Sequence, residues 1–313
     1  MSTSSTDTYD QVGIREDLTN AIYNVDPVEV PFVSMAPKVS ASSTLHEWQT
    51  DSYASAADNK AVEGADASFS PAASTTRLTN RCQIAEKTAM ISGTLEATNR
   101  AGRDREMTYQ LIKRGVELKR DMETTLVGTN KAKVTGNATT EAELASMLSW
   151  IATNDDLAGT GASPTGDGTD TRTDGTQRAF TEAMLENTID LIWNSGGNPD
   201  TVLVGSFNKR AMNAFLGRAT VTEHYAKEKS IISAMDVYVS DYGTLKIVPD
   251  RFSRARDCLV IQKNMWAIAY LRNMKTLDIA RTGDAEKKQL IVEYTLEARN
   301  EKSSGGVFDL TTS

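Results

Sequence analysis

The sequence has no long apolar stretch and few of the residues on which common site chemistries depend. No apolar run approaches the roughly 20 residues that span a membrane. The Ser/Thr-rich beginning lacks the basic and apolar regions of a secretory signal, so we expect no export. Only 2 cysteines and 2 histidines occur among 313 residues, and no spacing among them suits zinc. The cysteines are far apart, which argues against a disulfide framework and favours synthesis in a reducing cytoplasm.

Positive charge is also scarce. Lys and Arg number 34 against 42 Asp and Glu, for a formal charge of −8. This balance argues against a nucleic-acid binder coated in positive charge. One segment differs, because seven basic residues and only three acidic ones lie between residues 100 and 120. Either this is an ordinary solvated helix face or it is turned towards a polyanion. The basic residues are Arg100, Arg103, Arg105, Lys113, Arg114, Lys119 and Arg120.

Catalytic and metal-binding motifs are matched only in part. Residues 206–209 read S-x-x-K as in serine β-lactamases, but the companion motifs crowd into about 80 residues, so Ser206 is predicted to cap a helix. Loop 167–175 is similar to a calcium loop, yet Arg172 stands where an oxygen ligand should be. We therefore predict no catalytic residue, no cofactor and no metal, and a surface location for the Gly-rich stretch 159–175.

A long β-ribbon with little apolar content is predicted in the first third of the chain. Ser43–Thr50 and Thr76–Ser92 carry strand signals. Between residues 40 and 76, 21 of 37 residues are Ser, Ala or Thr. Such a segment buries too little apolar area to offset its ordering entropy. Its tip is therefore either disordered or ordered by lying on another copy of the protein.

The strongest helix signal runs from Thr94 to Val127. At 1.5 Å per residue, this helix would extend about 50 Å, longer than most compact domains. Its apolar stripe consists of Met107, Leu111, Leu118, Met122 and Leu126. Before the ribbon, Pro27, Pro31 and Pro37 are predicted to hold the chain as an extended arm. After the helix, the pattern of apolar residues is that of an α/β unit.

The chain ends in a long alternating stretch that begins near Leu290. Period-two alternation predicts a strand with one covered face and one mostly wet face. The predicted covered residues are Leu290, Val292, Tyr294, Leu296 and Ala298, and the opposite side carries Ile291, Glu293, Thr295, Glu297 and Arg299.

The order of these parts resembles the major capsid protein of tailed bacteriophages, which has the Hong Kong 97 fold. The resemblance covers nearly the whole chain and includes the stretches NVDPVEVPFVSM, LHEWQTDSY, TVLVGSFNKRAM and YGTLKIVPDR and the block 266–305. It implies an α+β fold whose parts, in chain order, are an N-terminal arm (1–36), an extended β-hairpin loop (37–93), a long spine helix of the peripheral domain (94–140), an axial α/β domain (141–262) and the strands of the peripheral-domain β-sheet (263–313).

The resemblance implies a structural protein of the virion rather than an enzyme. Copies made in the host cytoplasm would assemble as hexamers and pentamers into an icosahedral head around double-stranded DNA. The loop and arm would lie across neighbouring subunits, which places Phe32, Trp48, Tyr53 and Phe69 at inter-subunit contacts. The other implied partners are a portal, a separate scaffolding or decoration protein, and DNA in weak non-specific contact with the basic residues named above. No membrane is implied.

Two other classes stay open on the sequence alone. A head–tail joining or shell-decorating virion protein would share the localisation, but it would form a ring or sit on a shell made by another protein. A small-ligand-binding α/β protein would be a monomer or small oligomer, with its ligand at loop 159–175.

Overall fold

The structure, a computed structural model, describes residues 26–64, 66, 67, 69, 71, 74–98, 105–215 and 236–313. These residues form five α-helices and twelve strands. The helices are α1 (Pro31–Met35), α2 (Gly93–Ala97), α3 (Glu106–Glu123), α4 (Glu182–Asn194) and α5 (Ser206–Asn213). The strands are β1 (Lys38–Ser40), β2 (Leu45–Thr50), β3 (Thr76–Arg81), β4 (Gln83–Ser92), β5 (Asp155–Asp156), β6 (Thr201–Val204), β7 (Val237–Ser240), β8 (Gly243–Pro249), β9 (Cys258–Ile261), β10 (Trp266–Ile279), β11 (Ala285–Ala298) and β12 (Gly305–Val307).

A four-stranded sheet with the order β1-β10-β11-β4 contains the two longest strands. β10 and β11 have 14 residues each and pair antiparallel, with Lys275 opposite Ile291 and Ile279 opposite Lys287. The terminal strand is therefore paired along most of its length with the segment that precedes it in the chain. β1 pairs with β10 in parallel orientation, and β4 pairs with β11 in antiparallel orientation.

The covered face of β11 is the predicted one. Every residue predicted on that face lies in the main apolar core. The expectation of a mostly wet opposite face is wrong over residues 291–295, where Glu293 and Thr295 are buried. The reason is tertiary. Thr295 pairs with Ala269 of β10, and Ala269 lies in an apolar cluster with Ala41 and Cys82 from the two ends of the hairpin segment.

The predicted ribbon is split between two sheets. β2 and β3 form a separate two-stranded hairpin in register from Leu45 opposite Arg81 to Thr50 opposite Thr76. Only Cys82 separates β3 from β4, which continues into the four-stranded sheet. β4 does so because Ala89 and Ile91 pack against α3. Each described residue between 51 and 75 is exposed.

The predicted long helix is shorter than expected. α2 ends at Ala97, and Thr98 is extended, with φ −77° and ψ 144°. Residues 99–104 lie outside the described part of the chain. α3 has 18 residues, or about 27 Å at 1.5 Å each, and a wider π-type turn continues it over Thr124–Gly128. The predicted stripe is confirmed, because four of its members are buried and Leu111 is partly buried against them.

A six-stranded sheet with the order β5-β12-β9-β6-β8-β7 forms the second unit. α4 packs on it and encloses a second apolar core. β12 fits between β5 and β9, so the end of the chain belongs to this sheet and not to the sheet expected for residues 263–313. Glycine permits the fit, because a Cβ at Gly305 would lie 2.3 Å from the Asn154 carbonyl oxygen. Gly205 is the N-cap of α5, so the predicted cap at Ser206 is displaced by one residue.

The two cysteines are buried, free thiols. Burial, followed by the nearby Glu293 charge, raises the pKa of Cys82 to about 11, and burial also raises the pKa of Cys258. Neither thiol has the depressed pKa of a reactive cysteine. Among the described residues, no helix is both long enough and apolar enough to cross a bilayer.

Candidate assembly surfaces

The arm forms a short helix, α1, where its prolines predicted extended chain, because Pro31 stands at the start of the helix, a position that tolerates proline. This helix is docked on its own subunit. Phe32 is fully buried in the main core, so its expected contact with a neighbouring subunit is wrong. The backbone N–H groups of Phe32 and Val33 donate to Oε1 and Oε2 of Glu123, at 2.6 and 2.7 Å. Glu123 lies at the end of α3 and thus caps the first turn of α1 from a distant part of the sequence. Proline at the start of the helix needs no such partner.

The base of the hairpin is fastened to the end of β11. Trp48 Nε1 donates to the Ala298 carbonyl oxygen at 2.8 Å, and its ring centroid lies 5.3 Å from that of Trp150. Trp48 is therefore partly engaged within its own subunit, and its expected role at an inter-subunit contact stays a prediction. His46 Nε2 lies 2.8 Å from Glu297 Oε2, and this hydrogen bond is the first cause of the lowered pKa of Glu297.

The tip of the hairpin, residues 51–75, makes no comparable contact within the described chain. The hydrogen bonds of its described residues are local and run from Ser52 to Asp51, from Lys60 to Asp58 and from Thr75 to Gln49 in β2. Tyr53 and Phe69 are 103% and 93% exposed, so both keep whole rings in solvent. Exposed aromatic side chains on a segment without its own core are available to a partner.

The described basic residues of the helix region differ in their surroundings. Arg105 pairs with Glu96 at 3.5 Å, Arg114 pairs with Glu117 at 2.7 Å, and the Arg120 guanidinium lies 5.5 Å from the Phe252 ring centroid. Arg100 and Arg103 lie outside the described residues. Lys113 and Lys119 are exposed, but six positions along an α-helix place them roughly 120° apart.

Arg172 has a structural role that was not evident from the sequence. Its side chain is 1% exposed, and Nη1 lies 2.9 Å from Asp155 Oδ2. Nη2 donates to the Ile151 carbonyl oxygen at 2.5 Å, and the guanidinium lies 3.4 Å from the Phe308 ring centroid. Loop 167–175 is thus anchored by the arginine that interrupts its calcium-like pattern. No group of three or more His, Cys, Asp or Glu residues in the described ranges could hold a metal ion.

Comparison with known proteins adds the decisive observation. The family model of the SU10 major capsid protein matches residues 1–311. The chain belongs to this family. A relative, the major capsid protein of Escherichia phage Phieco32, is 28% identical over 338 aligned positions, which cover 96% of this chain and 95% of the relative.

Solved capsid structures share the fold of this capsid protein. The Cyanophage A-1(L) capsid subunit has a TM-score of 0.67 at 13% identity, over 98% of this chain and 99% of that one. The capsid subunit of a native GTA particle has a TM-score of 0.64 at 12% identity, over 99% and 100%. The α+β fold is therefore the Hong Kong 97-type capsid fold, as the sequence predicted.

The family assignment also settles the class of protein. The chain is the major capsid protein of a tailed phage, a structural protein of the virion whose copies assemble with one another in the capsid lattice. The shell protein is thus favoured over the head–tail joining, decorating and ligand-binding proteins that the sequence left open.

We expect Trp48→Ala to loosen the hairpin base and to lower the free energy of unfolding by about 2–3 kcal/mol, since it removes a partly buried ring and the bond to Ala298. Urea unfolding of unassembled subunits, followed by circular dichroism, measures the change. Trp193→Ala is the control, because Trp193 is 54% exposed and only stacks on Tyr242. Equal losses in the two variants would contradict a fastened base.

Proposed function

We propose that the capsid protein assembles as hexamers and pentamers into an icosahedral head around double-stranded DNA, with the hairpin tip as a principal contact between neighbours. The observation that carries this proposal is the contrast along one hairpin. Its base is fastened by Trp48 and His46, whereas its tip exposes Tyr53 and Phe69. The fixed base sets the direction in which the tip projects. The exposed rings of the tip offer apolar surface that a neighbouring subunit can bury.

Energetics support a tip that is completed by another subunit. A two-stranded hairpin is marginally stable alone in water, and this tip has little apolar area of its own. Covering Tyr53 and Phe69 on a neighbour would remove two large rings from water. Each contact is weak, but a closed lattice repeats it at every subunit, so the contacts act together.

The predicted domains are proposed to correspond to the two larger sheets. The four-stranded sheet with α3 would be the peripheral domain, and the six-stranded sheet with α4 would be the axial domain. Under this assignment the chain enters the axial domain near residue 141, leaves it after β9, and returns to it with β12. The arm would end at α1, and the extended loop would be the hairpin β2–β3.

We also propose a portal, a separate scaffolding or decoration protein, and weakly bound DNA as partners, and we assign the chain no catalytic role. For DNA, the exposed candidate groups among the described residues are Arg105, Lys113 and Lys119, and of these Arg105 is paired with Glu96.

The variant K113Q/K119Q tests the DNA contact. We expect the slope of log binding constant against log salt for duplex DNA to become shallower by about 2, because each lysine lost removes one phosphate contact. Fluorescence anisotropy of unassembled subunits between 50 and 200 mM salt, a range in which phosphate contacts weaken strongly, measures the slope. K246Q/K263Q, on the six-stranded sheet and the turn after β9, is the control. Identical slopes in wild type and K113Q/K119Q would contradict the proposal.

The experiment that tests assembly is expression of the chain alone, followed by sedimentation velocity and negative-stain electron microscopy. Closed shells, tubes, or free hexamers and pentamers are expected. A single closed ring would favour the head–tail joining role instead. A monomer that persists with crowding agents and with a candidate scaffold would overturn self-assembly as a property of this chain.

A further inference from the structure

Two acidic side chains lie buried together where three parts of the subunit meet. Glu123 is 0% exposed at the end of α3, and Asp250 is 2% exposed directly after β8. The two carboxyl groups lie close enough for each to influence the pKa of the other. Both oxygens of Glu123 also accept N–H groups of the arm helix α1, from Phe32 and Val33. The pair therefore joins the arm, the spine helix and the six-stranded sheet.

When both carboxyl groups are deprotonated, one of their oxygens has no hydrogen-bond donor. Asp250 Oδ1 accepts the Phe252 N–H at 2.8 Å, whereas Oδ2 is buried and has no hydrogen-bond donor in the described structure. Two carboxylates offer only acceptors, so their contact needs a proton. One proton between the side chains supplies that donor and removes one of two buried like charges.

The surroundings do little to stabilise two negative charges. α1 contributes no charged residue, and within the described ranges neither carboxyl group has a basic group at ion-pair distance. Arg120, one turn before Glu123, lies over the Phe252 ring, and Arg251 is exposed. Burial raises the pKa of Glu123 to about 7 and outweighs the Val33 and Phe32 N–H groups, which lower it, while the Asp250 charge is a smaller raising contribution. Burial also raises the pKa of Asp250.

We propose that a proton shared by Glu123 and Asp250 locks the arm helix α1 onto the junction of α3 and β8, and that loss of this proton loosens the joint. The lock is a pH-sensitive device that is separate from the hairpin contact. It acts on α1, the helix that connects the arm to the rest of the subunit.

The direction of the pH effect follows from proton linkage. Between pH 4.5, the ordinary pKa of Glu, and about pH 7, the raised pKa of Glu123, the buried pair keeps a proton that the same groups lose in water. In this pH range the docked state therefore binds one proton more than the undocked state. Raising the pH through this range favours undocking by up to about tenfold per pH unit. Above about pH 7 the docked pair has also lost its proton, and the effect levels off.

Hydrogen exchange on the unassembled full-length subunit tests the lock. After correction for intrinsic exchange rates, we expect protection of the Phe32 and Val33 amides to fall by up to about tenfold per pH unit between pH 5 and 7. Protection of amides in β6 should not follow this profile. A profile for Phe32 and Val33 that is flat between pH 5 and 7 would overturn the proposal.

Asp250→Asn provides the matched variant. Its amide donates permanently to the Glu123 carboxylate while its oxygen still accepts the Phe252 N–H. We expect D250N to flatten the pH profile and to protect Phe32 more than wild type does at pH 8. The control D121N changes an acid of the same helix that is half-exposed and paired with Lys87, and it should keep the wild-type slope. A wild-type slope in D250N would refute the shared proton.

Discussion

Replacing the hairpin tip, residues 51–75, by Asn-Gly should leave the subunit folded and prevent it from forming shells. Thr50 and Thr76 are the last paired residues of the hairpin, and a two-residue Asn-Gly turn suits such a pair. The described tip residues are exposed and bond only locally, so the free energy of unfolding should change by less than about 1 kcal/mol. Assembly should fail because the contact offered to the neighbour is gone.

Sedimentation velocity and negative-stain microscopy measure the assembly of this variant, and urea unfolding measures its fold. The double variant Y53S/F69S tests the two aromatic rings without shortening the chain, and it should raise the subunit concentration required for assembly at least tenfold. Y53F/F69Y keeps both rings and serves as the control. Shells of normal yield from the tip-replaced chain would remove the hairpin from the assembly mechanism.

Arg172→Ala should destabilise the subunit by roughly 3–5 kcal/mol, the range found when one partner of a buried ion pair is removed. The arginine is enclosed by Asp155, the Ile151 carbonyl oxygen and the Phe308 ring. Its loss leaves a buried carboxylate without its cation and frees loop 167–175 from the six-stranded sheet.

Urea unfolding of unassembled subunits checks this value. The control is R77A, because the Arg77–Glu47 pair spans 3.7 Å at the surface and should contribute less than about 1 kcal/mol. The double variant R172A/D155A should recover part of the loss, since it removes the stranded charge as well. A loss in R172A no larger than that in R77A would show that loop 167–175 is not anchored by this side chain.

The elements were largely predictable because periodicity records which side of an element is covered. The α3 stripe and the covered face of β11 both lie in the cores where the sequence placed them. The α/β order and the resemblance of short stretches were enough to indicate a capsid fold. The exposed tip was predictable for a related reason, because a segment of Ser, Ala and Thr has too little apolar area to build a core.

The sites were predicted less well, because their roles depend on which distant segments meet. Phe32 is apolar whether it faces a neighbour or its own subunit, and only the packed structure places it inside. Trp48 is bonded to Ala298 and stays partly exposed. Arg172 and Glu123 appear in the sequence as ordinary charged residues of a loop and a helix.

By itself the sequence determined the types of most elements, their order, the covered face of α3 and the family resemblance. The tertiary structure alone decided that β4 leaves the hairpin, that β12 returns to the six-stranded sheet, and that Glu123 meets Asp250 and the arm. Local patterns are set by residues a few positions apart. These contacts join segments at least 45 positions apart, where periodicity carries no information about which segments become neighbours.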